Sequence, residues 1–188
     1  INSKNLIIKN TLYISYGSAI LGLLFSLQWV DTHVIIYEIC EFFISKKIME
    51  LFFYLGFSVF FVICLAYKKL RRFLWIECIL IFFLGFFFSK ASLLLSFSVY
   101  FVFWHSIPSI LDQLNFLYEK DNSGKIKYLL SSMPYWIMSI VGLFGFYFYF
   151  HTKPDTFLPL FFSFLAAITF PHTIVMGWLK IYKPKTKS

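Results

Sequence analysis

The 188-residue chain is 60% hydrophobic, carries 27 Phe, has only 14% charged residues and a mean hydropathy of +0.76. That balance excludes a water-soluble domain of this size and predicts an all-α fold, a polytopic helical membrane protein. The net charge of +8 sits in short Lys/Arg clusters flanking apolar runs, which reports bilayer orientation and attraction to anionic membrane lipid and gives no basic groove for nucleic acid.

Residues 11–30 contain no charge until Asp31 and are long enough to cross a hydrocarbon core of about 30 Å at about 1.5 Å per residue. Residues 31–47 mix Asp31, His33, Glu38, Glu41, Lys46 and Lys47 with Val, Ile and Phe, a composition suited to an amphipathic turn lying at the interface. A second span is predicted over 48–67 and a third over 73–89, joined by the basic tip Lys68, Lys69, Arg71 and Arg72. The fourth, 92–118, overshoots the bilayer, so it must tilt or break. Pro108 supplies the break, because its missing N–H frees the Trp104 carbonyl. Residues 119–125 form the most polar loop of the chain. A fifth span follows over 128–150, a turn at 152–155, a sixth span over 157–182, and a polar, disordered tail.

Six spans place the N-terminus, the second and fourth loops and the C-terminal tail on one side. That side collects Lys4, Lys9, Lys68, Lys69, Arg71, Arg72, Lys120, Lys125, Lys127, Lys180, Lys183, Lys185 and Lys187, against Lys46, Lys47, Lys90 and Lys153 opposite. The asymmetry makes both termini cytoplasmic in a multi-pass protein of the cell membrane, with 1–188 as one helical membrane domain. Cys40, Cys64 and Cys78 lack metal-site spacing and read as buried thiols, not disulfides. The chain opens on Ile1 without Met or a signal-peptide layout, the pattern expected of a piece of a longer protein.

Against this background the polar residues of the fourth span stand out, since polar groups at membrane depth are costly unless they serve a purpose. His105 on span four and His172 on span six run in the same direction, at similar depth, roughly 20 Å below the outer surface. Two readings stay open: a shared metal ion, or two neutral histidines satisfied by their neighbours. Ser109 and Asp112 follow His105 at helical spacing and are expected on its face. Glu77 either pairs with Arg71 or Arg72 or orients a ligand imidazole. Phe97, Tyr100, Phe101 and Trp104, with Phe164 and Ile168 on span six, form aromatic and apolar stripes that fit either ordinary packing or a narrow substrate tunnel. His33 and His151 read as surface histidines. No Gly-x-Ser-x-Gly, phosphate loop or dinucleotide fingerprint is present, which removes those reaction classes.

The segments Ser92-Leu-Leu-Leu-Ser-Phe-Ser-Val-Tyr-Phe-Val-Phe-Trp-His-Ser106 and Thr169-Phe-Pro-His-Thr-Ile-Val-Met-Gly-Trp178 resemble two signatures of the Brp/Blh family of membrane beta-carotene 15,15'-dioxygenases. The resemblance covers roughly residues 75–180. It implies cleavage of the central double bond of beta-carotene by O2 to give retinal, often supplied to a retinal-binding rhodopsin, with Fe(2+) held by membrane-embedded histidines. By that resemblance His105 and His172 are iron ligands. Two departures are visible: Ser109 stands where many members carry another histidine, and an early Pro-His-Gly motif is missing. Two non-catalytic alternatives share the same composition, a carotenoid- or retinal-binding membrane protein and a small transporter or assembly subunit. Bound iron with retinal formation marks the enzyme, and pigment without cleavage marks the binding protein.

Overall fold

The computed structural model describes the backbone of residues 3–118, 122–150 and 154–181. Among these the chain is helical, without strands: α1 (Ser3–Leu27), α2 (Trp29–Cys40), α3 (Lys46–Ala66), α4 (Lys68–Arg71), α5 (Leu74–Lys90), α6 (Leu93–Tyr100), a π-helical turn (Phe101–Ser106), α7 (Ile107–Leu117), α8 (Asn122–Phe150) and α9 (Pro154–Ile181). Residues 119–121, 151–153 (His151 among them) and the tail from 182 lie outside the described residues, and with them most of the expected polar loop, part of the expected turn at 152–155 and the expected tail.

Five helical segments are long and apolar enough to cross a membrane: Ile7–Leu27, Lys46–Ala66, Leu93–Asn115, Ser123–Phe150 and Thr156–Val175. The protein is therefore an all-α, polytopic membrane protein. The expected third span is α5, very apolar but only 17 residues. At about 1.5 Å per residue it reaches about 25 Å, at the short end of what crosses a bilayer. The segment expected at the interface contains a twelve-residue helix, α2, with Asp31 in its first turn, where a negative charge complements the helix dipole. It ends at Glu41, which adopts the left-handed conformation at φ 53° and donates its N–H to the Tyr37 carbonyl.

The described chain falls into two compact units, Ile1–Tyr37 with Glu41–Lys125, and Glu38–Cys40 with Ile126–Ser188. In the first, α1 lies along α3 and also touches α5 and α6. What lets α1 and α3 approach is a stripe of small residues on α1, Ser15, Ser18, Ala19, Gly22 and Ser26, spaced by three and four. A Cβ on Gly22 would lie 2.7 Å from the Phe53 nitrogen, and one on Gly56 of α3 would lie 2.8 Å from the Ala19 nitrogen. The three serines satisfy themselves on the preceding turn, each hydroxyl donating at 3.0 Å to a carbonyl three residues back, so the stripe is small without leaving bare polar groups.

At one end of this packing Phe60, Cys64 and Leu74 form a buried cluster, with Leu12, Tyr16, Leu70 and Cys78 against it. At the other end Gln28, in the break between α1 and α2, donates its amide to the Phe88 carbonyl and, at 2.7 Å, to the Ala91 carbonyl. These carbonyls close the C-terminal end of α5, so the side chain of one junction caps another helix.

The second unit is built differently. Phe157 at the start of α9 packs on Phe146 and Tyr147 at the end of α8, with ring centroids 5.5 and 6.0 Å apart. Among the described residues of α8 and α9 no side chain is buried. Pro134 sits inside α8, and Pro159 and Pro171 sit inside α9.

Candidate functional site

The fourth span is where regular helix gives way. Residues 93–100 are α-helical, 101–106 wind more widely as a π turn, and 107–117 return to the α-helix. The Ile107 N–H reaches back five residues to the Val102 carbonyl instead of four. Pro108 explains the location. It has no N–H for the Trp104 carbonyl, and in an α-helix its ring would collide with that carbonyl, whereas the wider turn moves the carbonyl aside. The break expected at Pro108 is thus realised upstream of the proline, as a widened turn that contains Trp104 and His105.

His105 is half-buried on this turn. Its ring leans on Phe101, centroids 5.0 Å apart and planes inclined at 34°, and Phe101 stacks in turn on Phe97 at 5.7 Å. Tyr100 meets Phe97 edge-on at 6.5 Å. The aromatic stripe is therefore a ladder that ends on the imidazole. Ser109, half-buried, and Asp112, exposed in the chain, lie on the following α7.

Trp104 points elsewhere. Its indole Nε1 donates to the Tyr16 hydroxyl at 3.3 Å, and that hydroxyl donates to Glu77 Oε2 at 2.7 Å. Tyr16 is held on its other side by Phe60, ring centroids 5.0 Å apart. Glu77 stands in the first turn of α5, where the helix dipole favours a negative group. The ion pair expected with Arg71 or Arg72 is replaced by this tyrosine contact. Tyr16 went unnoticed in the sequence because nothing in an apolar run marks one tyrosine among twelve as a partner. The available signal was that Glu77 needed a donor at membrane depth.

Trp104 also lines an apolar groove of about 460 Å³ between α5 and span four, with Leu80, Phe83, Leu84, Phe86, Phe87 and Val99, and with Lys90 as its single charged lining group. Of the residues expected to border a tunnel, Trp104 lines this groove, while Phe97, Tyr100 and Phe101 build the ladder to His105. Phe164 and Ile168 belong to the second unit, where they are 63% and 53% exposed.

His172 lies in the second unit, half-buried on α9, directly after Pro171. Pro171 leaves the Ala167 carbonyl without its usual helical partner, yet α9 continues through it. The next turn is tightened by the Thr173 hydroxyl, which donates to the Phe170 carbonyl at 2.8 Å. Among the described residues no three or more His, Cys, Asp or Glu side chains gather into a metal-binding group.

Residues 2–180 match the family described as beta-carotene 15,15'-dioxygenase, which is nearly the whole chain, and the chain belongs to that family. No curated protein and no solved structure gives a match to it.

Proposed function

We propose, with membership of the beta-carotene 15,15'-dioxygenase family as the premise, that this chain serves the O2-dependent cleavage of beta-carotene at its central double bond to give retinal. One observation of the fold supports this reading above the others. The motif histidine His105 stands on a π turn, an uncommon winding often found at functional sites, with an aromatic ladder on one side. The neighbouring residue Trp104 borders an apolar groove. A substrate dissolved in the bilayer needs such an apolar path, and dry aromatic walls keep water from a reactive product.

The fit of iron is partial. Imidazoles suit Fe(2+) in an apolar setting because they are neutral donors, and His105 and His172 are the residues proposed to hold it. No group of three potential ligands gathers among the described residues, so the assignment rests on the donor chemistry of these two imidazoles. When bound, iron supplies the activation of O2. The chain's own share is to orient the imidazole through Phe101 and to present an apolar wall; Ser109 and Asp112 on α7 flank the site. Residence in the cell membrane, and delivery of the retinal to a rhodopsin, belong to the same proposal.

The test is iron content and retinal yield of membrane-inserted protein. His105→Ala and His172→Ala are each expected to lose both together, while His33→Ala, whose ring stacks on Trp29 at 4.9 Å, keeps both. Full iron content in the His105 and His172 variants would remove the ligand assignment. Bound pigment without retinal from the unaltered protein would turn the reading to a carotenoid-binding protein.

A further inference from the structure

The hydrogen-bonded chain from Glu77 through Tyr16 to Trp104 joins three helical segments far apart in sequence. A carboxylate set among packed apolar helices is costly, and a helix–helix contact alone is made more cheaply by the close approach that the small residues of α1 already allow. The chain ends on the one residue that both lines the groove and immediately precedes His105 in the π turn. A π turn has looser hydrogen-bond geometry than an α-helix, so a side chain held from outside fixes its rotation. Tyr16 is itself immobilised by Phe60 and the buried cluster around Cys64 and Leu74, which makes it a firm point of attachment.

We propose that Tyr16 and Glu77 are positioning residues that hold the Trp104 indole as a fixed wall of the groove, and so set how a long apolar substrate lies beside His105. This rests on the proposed function. The ordering is specific: Glu77 fixes the Tyr16 hydroxyl as an acceptor for the indole, and the indole shapes the groove. Tyr16→Phe leaves the carboxylate without its donor and the indole without its acceptor. Glu77→Gln keeps an oxygen that accepts from Tyr16 and should preserve the chain.

The experiment uses the full chain in lipid nanodiscs, labelled with 5-fluorotryptophan, with the Trp104 fluorine resonance assigned by its loss in Trp104→Phe. Tyr16→Phe is expected to shift and broaden that resonance. It should also weaken beta-carotene binding to the iron-free protein by about tenfold, the effect of one hydrogen bond to a charged network. In the iron-loaded protein KM for beta-carotene should rise in step while kcat changes less than about threefold, and a shorter apocarotenoid should be affected less. Glu77→Gln alone should leave all of these as in the unaltered protein. A tether that merely holds helices together would lower folded yield and leave KM and pigment affinity per folded protein unchanged, and that result overturns the proposal. So does an unmoved Trp104 resonance in Tyr16→Phe. Should Tyr16→Phe fail to insert, Trp104→Phe tests the wall from the other end, and unchanged pigment affinity there is equally fatal. Unaltered protein that neither binds nor cleaves beta-carotene overturns the functional reading and this inference together, an outcome distinct from a normal wild type with an indifferent Tyr16→Phe.

Discussion

Gly22 and Gly56 in the first unit and Gly142 and Gly145 in the second are the same residue put to opposite uses. A Cβ at either of the first pair would collide with backbone of the facing helix, at 2.7 Å from Phe53 and 2.8 Å from Ala19, whereas one at either of the second pair would meet nothing within 4 Å among the described residues. Lipid tails are as apolar as leucine, so membrane helices associate through close backbone approach and hydrogen bonds, not through hydrophobicity. The first unit has both, in its small-residue stripe and in the Tyr16 and Gln28 contacts. In the second, two long helices meet through Phe157, and no described side chain of either is buried. Aromatic richness, shared by both, does not distinguish a packed helix from an unpacked one.

The comparison breaks most visibly at Gly56. Gly56→Leu should force α1 and α3 apart and cost more than about 3 kcal/mol, the upper range for overpacking, seen as lost folded protein on thermal unfolding in detergent. Gly145→Leu should not lower that unfolding transition. Equal damage from both would show that the second unit's glycines face a packed surface too.

Much of the fold was legible before any coordinates. Most predicted spans end within three residues of the helices, because uncharged length and Lys/Arg clusters mark entry to and exit from the bilayer directly, while α1 and α8 begin eight and six residues earlier than predicted, in polar stretches that helix tolerates and a bilayer does not. The spacing of Ser15, Ser18, Ala19, Gly22 and Ser26 was equally available, yet Phe-based stripes draw attention away from small residues. At the site, His105 and the break at Pro108 were visible in the sequence. The form of the break was not, because a proline states which hydrogen bond is lost and leaves open how the backbone accommodates it. Glu77 was visible as a candidate, but its partner Tyr16 lies 61 positions away, and no local pattern encodes that pairing.

A smaller effect sharpens the contrast at two prolines. Pro108→Ala provides an N–H for the Trp104 carbonyl, allows the π turn to relax into α-helix, and so rotates His105; iron content and retinal yield should fall together by about tenfold. Pro171→Ala adds a bond to a helix that already runs through in α form, and the same two measurements should change by less than about threefold. The smallest effect is a gain: Gly142→Ala, in open space on α8, should raise helix stability by up to about 1 kcal/mol, measured as a small upward shift in thermal unfolding.

The Gln28 cap carries a consequence for the surrounding lipid. Gln28 satisfies the Phe88 and Ala91 carbonyls at the end of α5, which lowers the need of that end for water, and α5 stops at 17 residues, some 5 Å short of a hydrocarbon layer of about 30 Å. A span of that length would favour thinner lipid around it, whereas a 28-residue run such as Ser123–Phe150 is long enough to tilt. The side chains of this helix form most of the groove that Trp104 lines, so an apolar molecule arriving from the bilayer would meet the groove beside α5, a helix only 17 residues long.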